Sequence, residues 1–205
     1  MIIEHRNPVD RDRSIIWTKN IFSNPNNYII LDTESTGIKK KDVLLEIALI
    51  DLQGNELFST LIRPTKKKSI PSDSTKIHGI RMSYLKDCPT FPELLNHLQS
   101  IVKNKRVLIY NAEFDERLID QTCEEDNCNY LNINTECVMQ QYSRFIGKWN
   151  DYYSDYVFQK LIGGNHSALG DCKATLEVIK NMAETELSGI PLEMVSLRKW
   201  WEFWK

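Results

Sequence analysis

The chain has 205 residues, 41% of them hydrophobic and 26% charged, with 26 Lys and Arg against 28 Asp and Glu and a formal net charge of −2. That length suits one domain with short appendages and a real core. The near-neutral balance supplies no global basic field, so a protein that coats nucleic acid is disfavoured, while an enzyme with an acidic, metal-holding site is not.

In chain order, "MIIEHRNPVDRDRS" is charged from Glu4 onward and contains no signal-peptide apolar core. "SIIWTKNIFSNPN" reads as a short helix stopped by Asn24 and Pro25. Three strands then follow closely, "YIILD", "VLLEIALID" and "ELFSTLIRP". The tip "DLQGNE" is hairpin chemistry, with Gly54 and Asn55 able to take positive φ, so the three strands read as antiparallel neighbours. "VLLEIALI" is too short for a membrane span and is interrupted by Glu46. An unpaired charge in an apolar strand is too costly, so Glu46 is expected to meet a Lys, an Arg or a backbone donor in a structural role.

After Pro64 the segment "KKKSIPSDSTKIHGI" is polar and turn-rich, and "FPELLNHLQSIVK" has the spacing of an amphipathic helix. "RVLIY" is a compact strand, "FDERLIDQTCEEDN" a helix, and "TECVMQQYSRF" a strand end running into a helix. "HSALGDCKATLEVIKNMAETE" is a further helix with Ala168, Cys172, Leu176 and Ile179 down one side. An antiparallel meander followed by strand–helix alternation argues for an α/β layered fold with a mixed sheet. The expected organisation is an N-terminal helical extension over 1–26, one domain over 27–186 and an amphipathic Trp-rich tail over 187–205. That tail, with Trp200, Trp201 and Trp204, is expected either to dock on its own domain or to serve as a contact for a partner or a second copy. The five cysteines form no C-x-x-C pair and fit free thiols in a reducing compartment, so the cytoplasm is the expected location, with no membrane.

The acids at the ends of these elements form a set. Asp32 and Glu34 close the first strand, two residues apart and therefore on one face. Asp115 follows "RVLIY" and the turn "NAEF" at the mouth of a helix, and Asp171 lies in the first turns of the last helix, five residues after His166. Strand ends and the helix starts that follow them converge on one edge of an open α/β sheet. Four carboxylates gathered there repel one another unless a cation sits among them, and hard oxygen ligands suit Mg²⁺ or Mn²⁺. Two such ions about 3.5–4 Å apart can clamp an in-line phosphoryl displacement. His166, whose unperturbed pKa is near neutrality, is placed to take a proton from the attacking water.

"DTESTG", "YNAEFD" and "HSALGD", in that order, resemble the three motifs of the DEDDh 3′-to-5′ exonucleases. That family includes the proofreading subunit of the bacterial replicative polymerase and ribonuclease T. The resemblance runs from about residue 27 to 186 and implies a ribonuclease H-like three-layer fold, a mixed five-stranded sheet flanked by helices. It implies that Asp32, Glu34, Asp115 and Asp171 bind two divalent ions, with His166 as general base. The terminal nucleotide would rest against the backbone of Thr36 and Gly37. His78, in "KIHGI", resembles a family histidine near the terminal phosphate, with loop structure as its other reading. Phe114 is expected in the core or stacked on a base. Gly170, where the family often has a polar residue, is expected to loosen the helix start and the His166 loop. The lysine triplets of "IKKKD" and "TKKKS" would attract a phosphate backbone without reading sequence.

The implied function is metal-dependent 3′-to-5′ removal of nucleotides from nucleic acid with a free 3′ end. Single-stranded DNA is favoured over RNA, with proofreading or repair as the setting. An RNA-trimming exonuclease and a nuclease-like module docking on a polymerase are the alternatives.

Overall fold

The computed structural model describes residues 7–189 and the backbone of residues 2–3. In chain order it forms β1 (Ile2–Ile3), α1 (Pro8–Ser23), β2 (Tyr28–Ser35), β3 (Leu44–Ile50), β4 (Glu56–Leu61), α2 (Ser72–His78) and α3 (Phe91–Val102). Then come β5 (Arg106–Ile109), α4 (Ala112–Asp126), β6 (Asn134–Cys137), α5 (Val138–Ile146), β7 (Trp149–Asn150), β8 (Asp155–Tyr156) and α6 (Ala168–Glu184). The expected Trp-rich helix of the tail falls on residues 190–205, outside the described residues.

Local chemistry sets the helix ends. Asn7 caps α1 by accepting from the Val9 amide at 3.0 Å, with Pro8 at the first helical position. Thr90 and Glu93 form a capping box at the start of α3. Gly147, at φ 75°, ends α5 in the left-handed region open to glycine.

The main sheet runs β4-β3-β2-β5-β6. β2, β3 and β4 pair antiparallel, whereas β5 lies parallel to β2 and β6 parallel to β5. This is the mixed five-stranded sheet of a ribonuclease H-like α/β fold. Strand parity divides the core. Ile29, Leu31, Ile47, Leu49, Val107 and Ile109 pack with Phe91, Leu98, Leu118 and Ile119 of α3 and α4. Ile30, Ala48, Ile50 and Leu108 pack with Cys172, Leu176 and Ile179 of α6. Helices α1 and α5 complete this second layer: Ser14 of α1 donates to Gln141 Oε1 of α5 at 3.3 Å, and Trp17 Nε1 of α1 donates to Glu136 of the edge strand β6 at 2.5 Å.

Several features depart from the sequence reading. Helix α1 starts at Pro8, six residues before the expected Ser14, because Asn7 caps it and Pro8 opens its first turn. The turn-rich stretch after Pro64 contains the helix α2, closed by Gly79 at φ 75°. No α2 residue is buried, so it carries no apolar stripe for periodicity to reveal. In the β3–β4 tip only Gly54 takes positive φ; Asn55 instead bonds Asp51 through its amide and its side chain, at 2.9 Å each. A second, three-stranded sheet, β1-β7-β8, was also unread, its strands of two residues being too short for any period.

Candidate active site at the end of the central strand

The parity that buries Ile30 against α6 carries on along β2, so Asp32 and Glu34 face the α6 side where the apolar run ends. The β2–β3 ladder sets Glu34 directly opposite Glu46 and shifts register between Glu34 and Ser35. Opposed like charges in a ladder are destabilising, which makes this edge a place where the sequence accepts cost.

Two helices deliver the other acids. Asp115 lies in the first turn of α4 and is 4% exposed, with its Oδ1 accepting from the Thr33 hydroxyl at 2.6 Å. Thr33 points to the α4 face, opposite to its neighbours Asp32 and Glu34, so one tripeptide serves both layers. Asp171 lies in the first turn of α6, where the helix dipole favours a negative charge. Its Oδ1 accepts from the amides of Asn165 at 2.9 Å and His166 at 3.1 Å, folding the preceding loop onto the helix. His166 is exposed and sits at φ 58°, a region non-glycine residues rarely adopt and one frequent at functional sites. One ligand atom each from Glu34, His166 and Asp171 lies within 4.8 Å of the others.

The electrostatics follow from this crowding. Burial raises the Asp32 pKa well above the ordinary carboxylate range, and the charges of Asp115, Asp171, Glu34 and Glu46 push it the same way. Burial, with Asp171, Glu46 and Asp115, lifts Glu34 to about 8. Burial lifts Asp115 to about 7 against the lowering effect of its Thr33 bond. Among the described residues no Lys or Arg pairs with any of the four acids. An all-oxygen donor set, partly buried and mutually repelling, fits hard divalent cations.

The neighbouring residues are placed as follows. Thr36 is 1% exposed; its hydroxyl donates to Asp42 Oδ1 at 2.8 Å and its carbonyl accepts from Ser74 of α2 at 3.1 Å. A Cβ at Gly37 would stand 2.8 Å from Asp42 Oδ2, so only glycine leaves this loop its shape. His78 Nδ1 accepts from the Ile80 amide at 3.0 Å, while Nε2 is buried without a hydrogen-bond partner. Burial lowers the His78 pKa, the Ser35 backbone raises it, and nearby His166 lowers it further. Phe114 packs against the α3–α4 core, with the Arg117 guanidinium 5.2 Å from its ring centre.

Gly170 behaves differently from the expectation of a loosened helix start. A Cβ there would stand 2.0 Å from Asn165 Oδ1 and 2.8 Å from Ser167 Oγ. The glycine makes room for the loop to fold tightly against α6. Sequence reasoning also gave no role at the site to Thr33 and Glu46. The first was hidden as the middle letter of a motif. The second was visible as an acid in an apolar strand, and its backbone donor is the Ala168 amide, 3.1 Å from Glu46 Oε2.

Sequence and fold both resemble those of known exonucleases. The exonuclease family model of the RNase T type matches residues 29–179. The chain is 34% identical over 173 residues to the uncharacterized exonuclease CP81 of Escherichia phage 186, covering 76% of this chain and 88% of that protein. It is 32% identical over 127 residues to the DNA polymerase III subunit epsilon of Buchnera aphidicola subsp. Schizaphis graminum, covering 54% of each. It thus spans about half the length of that subunit. Among solved structures, the nuclease domain of 3′hExo, a DEDDh family member bound to rAMP, superposes with a TM-score of 0.53 at 14% identity, covering 76% of this chain and 90% of that one. The chain belongs to the RNase T exonuclease family.

Proposed function

We propose that this protein is a metal-dependent 3′-to-5′ exonuclease that releases nucleoside monophosphates from the 3′ end of single-stranded DNA. The observation that carries this reading is the meeting of Glu34, Asp171 and His166 ligand atoms within 4.8 Å, inside the field of Asp32 and Asp115. Asp32, Glu34, Asp115 and Asp171 would hold two divalent ions, Mg²⁺ or Mn²⁺. When bound, such ions supply charge neutralisation and polarisation of the phosphodiester.

The chain's own groups do the rest. His166 accepts the proton of the attacking water, since its ring stands among the acids and its loop is exposed. Thr33 fixes the rotamer of Asp115. The Thr36–Gly37 backbone, braced by Asp42 and Ser74, offers a firm seat for a terminal nucleotide. His78, with Nδ1 accepting from the Ile80 amide and its ring beside the Ser35 backbone, helps shape the loop next to the Thr36–Gly37 seat for a terminal phosphate. Exposed Lys39, Lys40 and Lys41, beside a 65–68 loop joined to them by the Lys68–Lys41 bond of 3.1 Å, attract the strand's backbone.

The preference for DNA and a proofreading or repair role are supported by the likeness to a DNA polymerase subunit. The 187–205 tail either docks on its own domain or serves as the contact for a polymerase or a second copy. A cytoplasmic location fits the five free cysteines, and no described helix is long and apolar enough to cross a membrane. An oligonucleotide labelled at its 5′ end, incubated with protein and Mg²⁺, should give a ladder shortening from the 3′ end. Matched single and double strands of DNA and RNA should rank single-stranded DNA first. No shortening, or equal shortening by Asp171→Ala, sinks the reading, and faster loss of RNA reassigns the substrate.

A further inference from the structure

Glu46 stands at the acid edge without a place in the ligand set. It is directly opposite Glu34 in the β2–β3 ladder and so shares its face. Its Oε2 accepts from the Ala168 amide at 3.1 Å. Ala168 is the first residue of α6, and its amide is one of the donors a helix leaves unpaired at its start. The other hydrogen bonds of the 165–170 loop are internal to the loop and helix: Asn165 and His166 amides to Asp171, Ser167 to Asn165, and the Gly170 amide to Ser167. Those bonds give the loop its shape. Among the described residues, the Glu46 hydrogen bond ties this segment to the sheet two residues from His166. It acts beside the packing of Ala168 and Leu169 with Ile30 and Ala48, and the Cys172 thiol on the Ile30 and Ala48 carbonyls one turn on.

We propose that Glu46 is a positioning residue that sets the height of the His166 loop over the acids of β2. An apolar residue at position 46 would relieve the repulsion with Glu34, yet the chain places a carboxylate there. The Ala168 amide accounts for it: a carboxylate on the neighbouring strand reaches the helix start, and the hydrogen bond is strengthened by its charge. The proposal rests on the reading of His166 as general base, and the test separates the two.

Glu46→Gln and Glu46→Met both remove the charge and keep the length, but only Gln retains an acceptor for Ala168. Any effect of charge on metal binding is therefore common to both. With saturating Mg²⁺ and single-stranded DNA, the Gln variant is expected to exceed the Met variant in kcat about 10- to 100-fold, the usual scale for a partner that orients a catalytic group. In a His166→Ala background the gap should close to less than about twofold, because residues acting as a unit are not additive. Equal kcat for Gln and Met, or a gap that survives His166→Ala, overturns the proposal. Amide hydrogen exchange at Ala168 gives a readout that needs no activity: slow in wild type and Gln, fast in Met. Equal exchange in all three also overturns it. A wild type without exonuclease activity, or unaffected by His166→Ala, counts against the functional reading instead and leaves the exchange result to decide the role of Glu46.

Discussion

The starts of α4 and α6 both bring an aspartate in their first turn to the same sheet edge, yet the surroundings differ. Asp115 is 4% exposed and locked by Thr33 from the central strand. Asp171 is half-buried and takes its bonds from an exposed loop whose His166 is in the left-handed region. The α4 side is built into the core, so its acid is preorganised by packing. The α6 side is built from a loop, so its acid and base are preorganised by a few hydrogen bonds. A site with one fixed wall and one bonded wall can hold metal on the first and adjust the second as substrate enters.

The largest test removes one charge from each wall. Asp115→Asn and Asp171→Asn should each lower kcat about 1000-fold or more, since several kcal/mol of charge stabilisation is lost at about 1.4 kcal/mol per decade. They should differ in the chelated protein: at pH 8 Asp115→Asn should melt higher than wild type, because it removes a buried, repelled charge. Single-turnover rates with calorimetric melting decide this, and a lower melting point for Asp115→Asn breaks the contrast. Thr33→Val, close in shape but lacking the donor to Asp115, should cost roughly 10- to 100-fold in kcat or Mg²⁺ affinity. A Mg²⁺ titration matching wild type would show that packing alone fixes that wall. Gly170→Ala probes the bonded wall. Its Cβ must displace Asn165, at 2.0 Å, and shift the His166 loop, for a loss of about tenfold in kcat.

The same contrast explains what could be read from the sequence. Asp32 and Glu34 were placed on one face by the period of two, and Asp115 and Asp171 at one edge by the order of strands and helices. Those inferences need only local geometry. The partners of the acids needed register and three-dimensional neighbours. Glu46 is opposite Glu34 because of a strand pairing that no single strand encodes, and its donor Ala168 is 122 residues away. Thr33 faces α4 only because α4 crosses that end of the sheet. Gly170 looked like a weak point because propensity sees a missing side chain, whereas the fold uses the space it leaves.

The smallest effect is the pH dependence of stability without metal. Glu34 rises from 4.5 to about 8 and Asp115 from 3.8 to about 7, and Asp32 is raised as well. Each folded-state pKa lies above its unfolded value, so at intermediate pH the native chain keeps protons that the unfolded chain has released. Unfolding free energy then falls as pH rises through this window, because its slope follows protons bound unfolded minus protons bound native. His78 has the opposite sign: its lowered pKa makes stability grow with pH, but only up to the unfolded histidine value of 6.5. Between pH 6.5 and 8.5 the carboxylates therefore act unopposed by His78. In EDTA the melting temperature should fall across that range by several degrees, at about 2–4 °C per kcal/mol for a chain of this size. Saturating Mg²⁺ should restore most of the loss at pH 8.5 and little at pH 6.5, since a cation stabilises only the ionised acids. Glu34→Gln should flatten the EDTA slope in its upper half. A melting temperature that stays level or rises with pH in EDTA would mean that neither burial nor mutual repulsion holds these acids above their ordinary range, and both walls would then be held by something other than charge.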